Sequence, residues 1–73
     1  MQLFTDIGSV KTYKTPANCQ ARMAKLQEEL DHEFRWVMGA TADGRFYPVV
    51  VLSQDELSEY LHALLHRGVC MVN

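Results

Sequence analysis

The chain has 73 residues, 48% hydrophobic and 22% charged, with a formal net charge of −2. This length fits one small domain over residues 1–73, and the composition is too apolar for intrinsic disorder. The sequence pI of about 5.8 argues against a strongly basic nucleic-acid binder, for which a domain pI above ~9 is usual. The longest apolar run, residues 46–52, is far short of the ~20 residues that cross a bilayer.

Residues 1–8 read as a loose arm or a short strand. They carry no basic leader and no long apolar run, so no export signal is expected and the expected location is cytoplasmic, without membrane association. Two widely separated cysteines, Cys19 and Cys70, fit buried reduced thiols rather than a disulfide framework. Charge is uneven along the chain. Lys11, Lys14, Arg22 and Lys25 face only Asp6 in the first 25 residues, while Glu28, Glu29, Asp31 and Glu33 follow without a cation. Such a basic group offers weak, salt-sensitive phosphate contacts.

Val10 to Lys14 has the β-branched and aromatic character of a strand. Thr15-Pro16 then opens a helix expected over residues 16–32, with Thr as N-cap and Pro at the first helical position. Cys19, Met23, Leu26 and Leu30 fall on one stripe of it, and Ala17, Ala21 and Ala24 on the other side. Its acidic C-terminal end opposes the macrodipole, a cost of a few tenths of a kcal/mol per exposed charge.

Two alternating apolar runs, residues 34–41 and 45–52, flank Ala42-Asp43-Gly44 and predict a β-hairpin. A two-residue loop pairs Ala42 with Arg45. A three-residue loop, with Gly44 in the left-handed region, pairs Thr41 with Arg45. The second register sorts the faces better. It sets Phe34, Trp36, Met38, Ala40, Phe46, Pro48, Val50 and Leu52 on a core face, and Arg35, Val37, Thr41, Arg45, Tyr47, Val49 and Val51 on the reverse. Ser53 and Glu56 form a capping box for a second helix to about Arg67. Its expected buried stripe is Leu57, Tyr60, Leu61, Leu64 and Leu65. Gly68 ends it, and residues 69–72 read as a last short strand.

The order is β-α-β-β-α-β, which predicts an α+β fold: an antiparallel sheet with two helices on one face. This order is similar to that of small ferredoxin-like modules, among them amino-acid-binding regulatory domains and heavy-metal carriers; the paired cysteines of the carriers are absent. Pro48 conflicts with a central third strand, because it has no N–H for the ladder.

The catalytic inventory is thin. His62 and His66 share a helix face with Glu59, but Ala63 stands where the zinc-protease pattern has Glu, and no cysteine pair completes a ligand set. Cys19 sits on an apolar stripe, where a thiol is unreactive. Asp43 belongs to the turn. The expectation is a protein that is not an enzyme, with no metal and no cofactor. The reverse face carries the one positive clue. With both helices on one side of a sheet, the other side normally turns polar. Here it presents Val37, Tyr47, Val49 and Val51 rimmed by Arg35 and Arg45, an apolar patch with a polar border, as at an interface. The expected partner is a second copy or another protein. The competing occupant is the N-terminal arm through Leu3, Phe4 and Ile7. The alternative function, single-stranded nucleic-acid binding, would use Tyr47 with Arg35 and Arg45 as RNA-recognition domains use sheet aromatics. The third-strand signature of those domains is missing, which makes nucleic acid the weaker expectation.

Overall fold

The computed structural model describes residues 10–73. The elements in chain order are α1 (Pro16–Glu29), β1 (Arg35–Ala40), β2 (Phe46–Val51), α2 (Gln54–His66) and β3 (Cys70–Val72). The protein is α+β, with a three-stranded mixed sheet in the order β1-β2-β3. β1 and β2 are antiparallel, and β3 runs parallel to β2.

Two parts of the expected topology are corrected. The sheet is mixed rather than antiparallel, and the ferredoxin-like strand order does not hold. Residues 10–14 do not form a full strand: Tyr13 alone bridges to Phe46. The reason lies at Pro48. The Phe46 N–H donates to Tyr13 O at 2.8 Å, and the Leu52 N–H donates to Val72 O at 2.9 Å. Strand alternation therefore aims the backbones of residues 46, 48, 50 and 52 away from β1. Pro48 falls on that edge without a donor, so no strand pairs continuously along it. Tyr13 takes the edge before Pro48, and β3 takes it from Val49 onward.

The local signals act as expected at most element ends. Thr15 Oγ1 accepts from the Asn18 N–H at 3.2 Å, with Pro16 opening the helix. The helix ends at Glu29, three residues earlier than expected, because Leu30 turns extended (φ −102, ψ 140). No basic side chain lies in that last turn to hold the carbonyls. The three-residue hairpin loop is the observed one. Thr41 and Arg45 face each other through Thr41 N–H to Arg45 O at 2.8 Å, and Gly44 has φ +85. Thr41 Oγ1 donates to Asp43 Oδ1, which ties Asp43 to the turn. The capping box forms at α2: Ser53 Oγ accepts from the Glu56 N–H at 3.2 Å, and Glu56 Oε1 accepts from the Ser53 N–H at 2.9 Å.

Both helices cover one face of the sheet. Leu26 of α1 and Leu64 of α2 are buried with Phe34, Val50, Leu52, Val69 and Met71 in one cluster, and Leu30, Trp36, Leu57, Tyr60 and Leu61 close its border. Leu65 is corrected from the buried stripe. It is 43% exposed, because one residue past Leu64 the helix has turned ~100° away from the core.

Candidate functional site

The reverse face of the sheet holds a second, smaller apolar cluster. Val10, Val49, Cys70 and Val72 are buried there, with Tyr47 and Val51 packed against them. Val10 thus lies over the side of this face formed by β2 and β3. The arm residues Leu3, Phe4 and Ile7, the competing cover, lie outside the described residues. Toward β1 the burial ends, and Val37 is 49% exposed.

β1 is also the edge of the sheet. Since β2 aims residues 47, 49 and 51 at it, their partners Gly39, Val37 and Arg35 turn inward. The backbones of Trp36, Met38 and Ala40 therefore point outward, and no described residue outside the hairpin hydrogen-bonds to that edge. Tyr47 rests on the backbone of Gly39 so closely that a Cβ at Gly39 would overlap its ring. The glycine is what lets the aromatic cross onto the edge strand.

The expected contact residues thus differ in exposure. Val37 and Arg35 are exposed, and Tyr47 and Val51 are half-buried. Val49 is buried against Val10 and beside Cys70, its register partner on β3. The Arg45 guanidinium is held inward, its Nε donating to Thr12 Oγ1 at 2.7 Å and its Nη2 to Thr12 O at 3.1 Å. Of the groups suited to stacked bases, Arg45 is engaged and Tyr47 is packed on Gly39.

Two polar hubs were not legible in the sequence. Gln27 Oε1 accepts from the Phe34 N–H at 2.9 Å and from Trp36 Nε1 at 2.8 Å, while Gln27 Nε2 donates to His32 O at 2.7 Å. His32 Nε2 donates to Glu56 Oε2 at 2.7 Å. The His32 ring stacks on Tyr60 (centroids 4.9 Å apart) and meets Phe34 edge-on (4.8 Å). Together they tie the α1–β1 turn to the start of α2. The Ser53 backbone N–H, and then His32, hold the Glu56 carboxyl below the ordinary carboxylate range.

Cys19 and Cys70 are both free and buried. Burial pushes both thiols up, the opposite of nucleophile activation. His62 and His66 are exposed on α2. Among the described residues, no group of three or more His, Cys, Asp or Glu is arranged to hold a metal ion, and no helix is long and apolar enough to cross a membrane. No protein-family model matches this chain, and neither a curated protein nor a solved structure is significantly similar to it.

Proposed function

We propose that the chain is a non-enzymatic interaction module that self-associates through β1 and the adjoining part of the reverse face. The supporting observation is Val37, half-exposed on an edge strand whose outer backbone groups have no described partner outside the hairpin. An open edge is a template for another strand. A second copy is the occupant that fits best. β1 carries a single charge, Arg35, at its first position. Antiparallel self-pairing sends the two arginines to opposite ends, so like charges do not face each other. Each then lies toward the hairpin tip of the other copy, where Asp43 stands. Paired about Met38, the strands would bring Val37 of each copy beside Gly39 of the other, joining the apolar strips into one six-stranded sheet.

The edge is short, so the dimer is weak and concentration-dependent. Sedimentation at ~100 μM, at the weak end of useful affinities, is expected to show a dimer. Val37→Lys, at an exposed position, is expected to give a monomer with unchanged circular dichroism. A wild-type monomer at that concentration, or a Val37→Lys variant that dimerises as well as wild type, would overturn the proposal.

A further inference from the structure

The interruption at Pro48 leaves more than a missing hydrogen bond. Beside it, between the Tyr13 bridge and the start of β3, lies a cavity of about 370 Å³. Lys11, Arg22 and Arg67 line it, one each from the N-terminal segment, α1 and the end of α2. The buried side chains of Leu26, Pro48 and Val69 close its floor, and the half-buried Tyr13 supplies its aromatic side. We propose that this cavity binds a small organic phosphate monoester, with the dianionic head among the three cations and a compact ring against Tyr13, above the floor that Leu26, Pro48 and Val69 close.

Three observations support the assignment. First, the described residues leave the cations largely open. Among the described residues, no hydrogen bond or ion pair engages Arg22, and Lys11 has only the Tyr13 ring, 5.9 Å from Nζ to the centroid. Arg67 uses Nη1 on Ala63 O at 3.2 Å. Its Nε is 3.9 Å from Glu29 Oε2, beyond hydrogen-bond length, so most of its five N–H groups stay open. Second, the charge balance selects a dianion. Three cationic residues line one cavity in a protein of net charge −2, and among the described residues Glu29 is the one carboxylate that forms an ion pair with any of them. Arginine forks suit phosphate oxygens, and charge-assisted bonds of this kind are the strong ones. Third, neither Pro48 nor Gly68 offers a backbone donor to the cavity. Pro48 has no N–H, and that of Gly68 is bound to Leu65 O at 3.0 Å. Discrimination rests on side chains. The volume is at the small end of ligand pockets, which suits a single-ring body.

The test is a titration of the full chain, followed by backbone amide NMR at low ionic strength. The probes are phenyl phosphate, inorganic phosphate and benzoate. The expected result is saturable movement of the Leu26, Gly68 and Val69 signals. Phenyl phosphate should bind about tenfold more tightly than inorganic phosphate, which lacks the ring, and than benzoate, which carries one charge. Arg22→Gln, on the surface of α1, should weaken phenyl phosphate about tenfold with circular dichroism unchanged. No saturable movement up to about 10 mM, equal affinity for benzoate, or an unaffected Arg22→Gln variant would each overturn the assignment.

Discussion

Gln27 serves three partners at once: the Phe34 N–H, the Trp36 indole N–H and the His32 carbonyl. One amide side chain thereby satisfies the backbone where the chain leaves α1 and anchors the first aromatic of β1. Each such bond is worth about 1 kcal/mol net, and an orphaned partner costs more than the bond contributes. Glu56 is the second residue of this kind, accepting from Ser53 and from His32. Because its folded carboxyl is held low, the stability it contributes is present above the unfolded carboxylate value of ~4.3 and is lost as pH falls through the folded value. Glu56→Gln keeps an acceptor but removes the titration. Between pH 7 and about pH 3, the urea midpoint of the variant should fall less than that of wild type; parallel falls would show that Glu56 is not the group that titrates. The Ser53/Glu56 half of this arrangement is readable from spacing, since both residues lie on one helical turn. The His32 half is not. Its partner is 24 residues away, and nothing in local periodicity relates the turn after α1 to the start of α2.

The hairpin is the element most fully written in its own residues. Asp43-Gly44 sets the loop, Thr41 and Arg45 close it, and alternation assigns every side chain to a face. β3 is the opposite case. Its residues specify a buried strand, but the choice between antiparallel and parallel pairing is made by α2, which returns the chain alongside β2. The first expected strand reduces to one bridge because its neighbour carries Pro48, a long-range effect that Val10 to Lys14 do not encode. The same holds for the cavity beside Pro48: Lys11, Arg22 and Arg67 belong to three separate segments, and no local periodicity places them around one cavity. On the expected contact face, alternation located Val37 and Val49 correctly on one side. It carried no signal that Val10 would lie over Val49 while Val37 stayed open. At this scale the exchange Gly39→Ala is informative, because its methyl would occupy the space of the Tyr47 ring. Overpacking of this sort costs about 1–3 kcal/mol. It should appear as a lowered denaturation midpoint together with a shifted Tyr47 ring resonance; a variant as stable as wild type, with Tyr47 unmoved, would refute the contact.

As a whole, the molecule depends on a single principal core. Leu26, Val50, Leu64, Val69 and Met71 are almost fully buried in it, and a domain this small has a total stability of about 4–11 kcal/mol. Leu64→Ala removes a side chain at the centre and should cost about 2–5 kcal/mol, enough to lower the thermal midpoint by ten degrees or more. A loss below about 1 kcal/mol would mean that the helices are not anchored there. The position of β3 also has a temporal consequence. The hairpin is fully synthesised at residue 52, but Val69 and Met71, which seal one side of β2, and Cys70 and Val72, which pack on the other, come about twenty residues later. The valine-rich ribbon of β2 therefore cannot reach its final packing until the segment carrying α2 and β3 is also free to fold, and a chain cut before residue 69 is expected to leave β2 without its β3 cover on either face.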